Sequence, residues 1–248
     1  MSVPVGGASA HRSFADLHVH SSASFDSLAS PRSLIRAAAR QGLTHVAITD
    51  HDRIDGAIAA QRISEAEAPG LTVIVGEEIP TTEGDLIGLF LAEPVAPGLA
   101  LDAAIAEVRR QGGLVGIPHP FDRFRGSLLK SGDPDRLLAA VDWIETHNAR
   151  AFGNANVRAA ELASIRGVPG IAASDAHSAF EVGVAYTAFD GDLSSPDGLL
   201  AALRSVEIVP GRASVYVRLL TPIAKLVQRA RGNGRVGNAV DAHIPVGR

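Results

Sequence analysis

The chain has 248 residues and a net charge of −4, with 46% hydrophobic and 20% charged residues, a composition typical of an ordinary globular protein of one large domain or two small ones. It has no apolar run long enough to span a bilayer, and its first residues lack the basic and apolar segments of a secretory signal. It also has no cysteine, which excludes disulfides, thiolate metal sites and cysteine nucleophiles and favours a cytoplasmic protein.

Apolar, β-rich runs alternate with helical stretches along the chain. The first helix is predicted between Ser30, which caps it, and Gly42, which ends it, with Pro31 in its first turn. Repeated strand–helix units favour a parallel sheet, closed or open. Strands are predicted over residues 14–19, 45–49, 72–75, 86–91, 114–117, 143–146, 171–173 and 185–189, and further helices over residues 55–67, 101–111, 135–141, 154–166, 195–204 and 224–231.

The predicted organisation is one domain over residues 14–211, followed by a basic and partly helical extension over residues 212–248. The extension carries seven basic residues and one acidic residue, a net charge of +6, so the first 211 residues carry −10. Such a segment could bind an acidic partner or a nucleic-acid backbone. The interpretation favoured by the sequence is a solvated helix that packs one apolar side on the domain.

The end of the first predicted strand carries the tightest cluster of metal-binding side chains. Alternate residues of a strand point to one face, so His18 and His20 project together, and Asp26 follows on the loop. Two imidazoles on one face are half of a transition-metal site, and acids or imidazoles from other strands would complete it.

Six of the eight predicted strands end in imidazole or carboxylate groups. In an α/β barrel, catalytic residues come from the carboxyl ends of several strands. Imidazole with carboxylate suits zinc, manganese and iron. These groups outnumber the ligands of one ion, and a carboxylate can bridge two, so a cluster of two or three divalent ions is predicted. The groups are His18, His20, Asp26, Asp50, His51, Asp52, Glu77, Glu78, His119, His147, Asp175 and His177, and the amide of Asn148 follows His147 at the same strand end.

Strand alternation also separates close neighbours. Glu77 is predicted to point away from Glu78. Glu145, which lies next to Thr146, is likewise predicted to point away, so neither side chain is expected to reach the site. Asp16 is predicted to orient a ligand histidine and not to bind metal itself.

Five short motifs, in this order along the chain, resemble those of the PHP family (polymerase and histidinol phosphatase). They are Asp-Leu-His-Val-His-Ser (16–21), Ile-Thr-Asp-His-Asp (48–52), Gly-Glu-Glu-Ile (76–79), Pro-His-Pro (118–120) and Ser-Asp-Ala-His (174–177). Within the family, the chain is similar to short bacterial proteins with a PHP-associated C-terminal segment. Those proteins share Gly-Leu-Phe-Leu (88–91), Pro-His-Pro-Phe-Asp (118–122), Glu-x-His-Asn-Ala-Arg (145–150) and the run through Glu181-x-Gly183.

This resemblance implies an α/β fold, a distorted (β/α)7 TIM-like barrel with a metal cluster at the C-terminal mouth of its strands. Glu78, and not Glu77, would bridge ions, because the family pattern is Gly-x-Glu. The Asp26 position is often histidine in members with three ions. The implied ligands are His18, His20, Glu78 and Asp175 for one ion, Glu78, His119 and His147 for a second, and Asp26, His51 and His177 for a third.

Such a site would support metal-dependent hydrolysis of a phosphate ester by a metal-activated water. The substrate would be a small molecule or a nucleotide, and either a monoester or a diester. A side chain must give the leaving group its proton, and arginine can fork onto phosphate oxygens. The predicted proton donors are Asp52, His51 and His177, and the predicted phosphate-binding residues are Arg150, which is favoured, Arg123 and Arg125.

Two other functions stay open from the sequence. One is a metallohydrolase of another bond, such as an amide; a carboxylated lysine would favour it, but the two lysines, Lys130 and Lys225, lie away from predicted strand ends. The other is a non-catalytic metal-binding module. A small phosphorylated partner is expected, and long nucleic acid is not. The distance from Glu78 to His119 is 41 positions (119 − 78), too short for the large insert of nucleotide-directed family members.

Overall fold

The computed structural model describes residues 12–130, 133–218 and 220–234. Nine strands are found in these residues. Eight of them correspond to predicted strands, and the ninth is absent from the predicted set. The strands are β1 (Arg12–Val19), β2 (His45–Ile48), β3 (Thr72–Pro80), β4 (Asp85–Leu89), β5 (Leu114–Ile117), β6 (Trp143–Asn148), β7 (Gly170–Ala173), β8 (Tyr186–Asp190) and β9 (Val206–Val209).

The described residues also form eight α-helices, and the first begins where its capping signal predicts. The Ser30 side chain accepts a hydrogen bond from the Ser33 backbone N–H, and Leu34 and Ile35 are buried on the inner face of this helix. The helices are α1 (Pro31–Arg40), α2 (Asp55–Glu67), α3 (Leu101–Arg110), α4 (Pro134–Ala140), α5 (Ala155–Arg166), α6 (Pro196–Ala202), α7 (Val215–Arg218) and α8 (Leu220–Ala230).

Strands β1 to β7 form a nearly closed barrel. The sheet order is β7-β6-β5-β4-β3-β2-β1-β8-β9. Strands β1 to β3 are parallel, as are β5 to β7, and β4 runs antiparallel between the two sets. The barrel closes beyond β1 and β7, where Val19 bridges Ala176 and the His20 N–H donates to the Ala176 carbonyl at 2.8 Å. The predicted distorted (β/α)7 barrel is confirmed.

Apolar side chains fill the barrel below its mouth. Leu17, Ile74, Ile87, Trp143 and Ile171, from five different strands, belong to one buried cluster. Five strands therefore contribute apolar residues to this core, and polar side chains follow the parallel strands at their carboxyl ends. Because the packed core holds the strands in register, the positions of the strand ends along the barrel axis are fixed relative to one another.

The C-terminal helix α8 packs across the loop that follows β1. It begins at Leu220, four residues before the predicted start. The Gln228 side chain is buried, and its Nε2 lies 2.7, 3.0 and 2.7 Å from the carbonyl oxygens of Ser22, Ser24 and Ser27. The last part of the predicted extension, residues 235–248, lies outside the described residues. In the described part of the chain, no helix has the length and hydropathy needed to cross a membrane.

Candidate metal centre

Eight predicted ligands converge at the carboxyl end of the barrel, with the buried carboxylate of one of them, Glu78, at the centre of the other seven. Glu78 Oε2 lies 3.2 Å from His18 Nε2 and 3.3 Å from His20 Nε2. It also lies 3.5 Å from His51 Nε2, and Glu78 Oε1 lies 3.0 Å from His119 Nε2. Four imidazoles from three parts of the chain therefore surround one carboxylate.

His18, His20 and Asp175 form the inner part of this cluster. The two Nε2 atoms are 2.9 Å apart, and Asp175 Oδ1 lies 3.8 Å from the first and 3.6 Å from the second. Asp175 Oδ2 accepts a hydrogen bond from Asn148 Nδ2 at 2.9 Å and contacts the Arg125 guanidinium. Asp175 Oδ1, by contrast, is buried and makes no hydrogen bond within the described residues. These ligand atoms face a common point, as they would around a divalent cation.

Asp26, His51 and His177 form the outer part of the cluster. Asp26 Oδ2 lies 3.1 Å from His177 Nε2 and 3.3 Å from His51 Nε2, and Ser24 Oγ donates to the other carboxylate oxygen at 2.7 Å. His20 joins the two parts, because its ring centroid lies 4.3 Å from that of His177 and 4.8 Å from that of His51. The structure thus groups the three residues predicted for a third ion.

Glu145 on β6 orients two of the predicted ligands. Its Oε1 accepts a hydrogen bond from His18 Nδ1 at 2.6 Å, and its Oε2 accepts one from the His119 backbone N–H at 2.8 Å. Strand alternation predicted this carboxylate outside the site, and that prediction is wrong. The pairing of β6 with β7 shifts register between Glu145 and His147, so two residues of β6 take the place of one. Glu145 and Asn148 consequently both face the cluster.

A second register shift explains the position of Asp16. Its carboxylate accepts hydrogen bonds from the backbone N–H groups of Ser174 and Gly183, at 3.0 and 2.9 Å. It was predicted to orient a ligand histidine, and it does not. The pairing of β1 with β2 shifts between Asp16 and Val19, so simple alternation does not relate the direction of Asp16 to that of the residues after the shift. Asp16 instead ties β1 to the segments that follow β7.

Comparison with known proteins shows to which protein family this chain is related. The model of the PHP domain matches residues 16–130, and the model of the PHP-associated region matches residues 153–208. An uncharacterised protein of Methanocaldococcus jannaschii is 38% identical over 146 residues, which are 54% of this chain and 81% of that protein. The chain belongs to the PHP family.

Solved structures share the fold at low identity. A two-domain protein of Bacteroides vulgatus, described as containing a predicted PHP-like metal-dependent phosphoesterase, has a TM-score of 0.69 and 20% identity over 81% of this chain and 65% of that one. A lesion-specific endonuclease of Pyrococcus furiosus has a TM-score of 0.60 and 18% identity over 80% of this chain and 58% of its own. This PHP chain spans less than two thirds of either protein.

His147, the ninth predicted ligand, lies apart from the others in this PHP chain. Its Nε2 donates to the Gly211 carbonyl at 2.7 Å, and its Nδ1 lies 3.5 Å from Asn156 Nδ2. The register shift in β6 turns His147 away and brings Asn148 in, where Asn148 Nδ2 donates to Glu145 Oε2 at 2.8 Å. The structure therefore does not bring His147 to the cluster, although the family motif aligns it with a ligand position.

Two of the predicted ligands have a strained backbone. His119 has φ 31° and Asp175 has φ 55°, in the left-handed region that non-glycine residues rarely adopt. Ser127 Oγ donates to the His119 carbonyl at 2.6 Å and stabilises this turn. Strain of this kind is concentrated at functional sites, where it aims side chains that regular strand geometry would not.

Burial and opposite charges set the protonation of the cluster. Burial disfavours the charged form of His18, yet the carboxylates of Glu145 and Glu78 raise its pKa to about 10. Burial also disfavours the charged form of His51, yet the carboxylate of Glu78 raises the pKa of this histidine to about 9. Burial instead lowers the pKa of His177 to about 4. At neutral pH, His18 and His51 therefore carry protons where a metal ion would need a lone pair.

We expect metal affinity to weaken as the pH falls. Because His18 and His51 must lose protons when an ion binds, affinity should drop by about tenfold per pH unit for each proton displaced. Competition with a chromophoric chelator at several pH values around neutrality measures the slope. Calorimetric titration in two buffers of different ionisation enthalpy counts the protons released. An affinity that is constant across this range contradicts the protonation described above.

A cavity of about 280 Å³ opens above the cluster. Arg125, one of the predicted phosphate-binding residues, lies in its wall. So does Lys225 of α8, a residue that the sequence did not place near the strand ends. The lining residues are Phe25, Asp26, His51, Glu78, Asp85, His119, Asp122, Phe124, Arg125, Gly126, Phe152, Thr221 and Lys225.

Four other residues predicted to contact substrate lie outside this lining, and one of them, His177, belongs to the outer part of the cluster beside Asp26. The buried guanidinium of Arg150 donates to Glu181 Oε1 at 3.0 Å and to Thr221 Oγ1 at 2.7 Å, so it joins α8 to the barrel. Arg123 is exposed, and its guanidinium lies 4.6 Å from the centroid of the Phe124 ring. Asp52 lines a separate hollow between α2 and the loop after β4.

Proposed function

We propose that this chain hydrolyses a phosphate ester of a small molecule or nucleotide, using two or three divalent ions of manganese, zinc or iron. The observation that carries the proposal is the cluster around Glu78, which lies at the base of a cavity of about 280 Å³. Membership of the PHP family and the likeness to a PHP-like metal-dependent phosphoesterase support the reaction class.

The donors of the cluster fit transition-metal ions. His18 Nε2 and His20 Nε2 lie 2.9 Å apart, and Asp175 Oδ1 near them is buried without a hydrogen bond in the described part of the chain. Imidazole nitrogen with carboxylate oxygen is the donor set of zinc, manganese and iron sites. When bound, such ions lower the pKa of water and neutralise the charge of a phosphate.

The surrounding residues fix which ring atoms are available as ligands. Glu145 Oε1 accepts from His18 Nδ1 at 2.6 Å, so the lone pair of neutral His18 is on Nε2, toward Glu78. His177 Nδ1 lies 2.9 Å from the Asp175 carbonyl, which leaves His177 Nε2 to face Asp26. Both histidines thus present the nitrogen that the cluster needs.

The cavity wall offers groups for the substrate. Arg125 lies in the lining and holds Asp175 in place. His51 also lines the cavity, and in the metal-free site the carboxylates of Glu78 and Asp26 favour its protonated form. Where the outer position holds no ion, His51 can give this proton to the leaving oxygen. Asp52, which lines another hollow, is a weaker candidate for that step.

The size of the cavity favours a small substrate. Pockets for small ligands begin at roughly 300 Å³, close to the volume found here. Phe124 and Phe152 form one part of the rim, and Thr221 and Lys225 of α8 form another. Although the chain shares its fold with an endonuclease, these walls favour a phosphorylated small molecule or short nucleotide over duplex DNA.

Removal of the metal is expected to abolish hydrolysis. Protein stripped with a chelator should lose nearly all phosphate release from p-nitrophenyl phosphate or nucleotides, because the reaction needs the ions, and manganese should restore it. The assay includes bis(p-nitrophenyl) phosphate, which separates diester from monoester cleavage, and a duplex with an abasic site, on which no cleavage is expected. Metal-dependent hydrolysis of an amide panel, with every phosphate ester inert, would overturn the proposal.

A further inference from the structure

We infer that the C-terminal helix α8 supplies the substrate-binding cation of the cavity, Lys225. The inference rests on the proposed phosphate-ester chemistry of the site and names one residue that binds the phosphate. The matched family regions end at residue 208, whereas α8 spans Leu220–Ala230. The family relationship therefore assigns no role to this helix.

Lys225 and Thr221 lie on the same face of α8, four residues apart, and both line the cavity. The Lys225 ammonium lies 5.3 Å from the centroid of the Phe25 ring, within the range of a cation–π contact. The Phe25 ring lies 4.9 Å from the His51 ring. One aromatic ring thus separates the ammonium group from a member of the metal cluster.

Buried polar contacts hold α8 in place at both ends. Near its start, Thr221 Oγ1 accepts from buried Arg150 at 2.7 Å. Near its end, the Gln228 side chain is bonded to carbonyl oxygens of the loop after β1. Just beyond the helix, Asn233 Nδ2 donates to the Ala23 carbonyl at 3.0 Å. The helix is consequently a fixed wall of the cavity, so the position of Lys225 relative to the cluster is set by the fold.

Among the basic residues that line the cavity, Lys225 is the one whose positive charge is available to bind an anion. Arg125 also lines the cavity, but its guanidinium contacts Asp175 and lies 3.9 Å from Asp122 Oδ2. Lys225 forms no ion pair with a carboxylate among the described residues, and its ammonium group has three donors. A phosphate bound over the cluster keeps negative oxygens on the solvent side, where the Lys225 ammonium can donate to them.

Lys225→Met tests the inference because it keeps the length of the side chain and removes its charge. Lys225 is exposed, so the variant should fold as the parent does. Lys225→Arg restores the charge, and Arg229→Met removes an equal charge one turn farther along α8. Each full-length protein is loaded with manganese, its metal content is measured, and it is titrated calorimetrically with inorganic phosphate.

Lys225→Met should retain its metal and bind phosphate about tenfold more weakly, the loss typical of one charge-assisted hydrogen bond. With a hydrolysable ester, KM should rise about tenfold while kcat changes less than about threefold, since uniform binding is lost. Lys225→Arg should recover most of the affinity, and Arg229→Met should bind phosphate as the parent does.

Phosphate binding separates this inference from the proposed function, because it is measured without turnover. If the parent binds phosphate but hydrolyses no ester, the function fails and the role of Lys225 is still decided by the titration. Equal phosphate affinity of Lys225→Met and the parent overturns the inference. So does an equal loss in Arg229→Met, or a parent protein that holds manganese and binds no phosphate.

Discussion

Glu78→Gln is expected to strip the cluster of metal and to lower kcat/KM by at least about a thousandfold, beyond the roughly 10–100-fold cost of losing an outer partner of a metal ligand. The Glu78 carboxylate lies within 3.5 Å of four imidazoles. Glutamine keeps the volume of the side chain but loses the charge and one acceptor oxygen. A neutral amide cannot bridge two cations as a carboxylate does.

The measurement compares metal content by elemental analysis, before and after dialysis against manganese, with steady-state hydrolysis of a phosphate ester. Circular dichroism establishes that the variant is folded. Retention of metal together with parental activity would contradict the central place given to Glu78.

Glu77→Gln is the matched control, because Glu77 is the adjacent residue of β3 and its side chain lies on the other side of that strand. Its Oε2 accepts from the Val95 backbone N–H at 2.8 Å, a bond that the glutamine oxygen can keep. Burial raises the pKa of Glu77 to about 8, so at neutral pH it is largely uncharged, as glutamine is. We expect this variant to keep its metal and its activity within about twofold, because nothing in the cluster changes. Loss of metal in both variants would show a general effect of substitution in β3.

Strand periodicity and strand ends predict most of the cluster. Strand alternation predicts that His18 and His20 lie together, and His119, Asp175 and Glu78 follow from the rule that parallel strands end at one mouth. These inferences need only local patterns and the fold class, and both can be read from the sequence. The order of the motifs then identifies the family.

The remaining features depend on irregularities that leave no local signal. Nothing in the sequence around Thr146 predicts the register shift that turns Glu145 and Asn148 inward and His147 outward. Lys225 reaches the cavity because the helix that follows the barrel packs against it. This is a long-range contact that no periodic pattern in the sequence predicts. Arg150 pairs with Glu181 and bonds to α8, so it is not a cavity residue. Its position also depends on how α8 packs, which the local sequence does not predict.

Glu145→Gln is expected to weaken metal binding by about 10–100-fold, the usual cost of losing the partner that orients a ligand histidine. Every group bonded to Glu145 is a donor: His18 Nδ1, the His119 backbone N–H and Asn148 Nδ2. Glutamine has one acceptor oxygen, so its own amide N–H must face a donor. A buried donor left without an acceptor also costs about 1–3 kcal/mol of folding stability.

His147→Ala is the control on the same strand, and it separates the position seen in the structure from the one that the family motif implies. His147 bonds to the Gly211 carbonyl, away from the cluster, so its removal should leave the manganese affinity within about twofold of the parent. Chelator competition at a temperature where all the proteins are folded gives the three affinities. If His147→Ala loses metal as Glu145→Gln does, the ring must turn inward when ions bind. The register shift in β6 would then be a feature that metal binding rearranges, and Asn148 would give up its position beside Glu145 and Asp175 to His147.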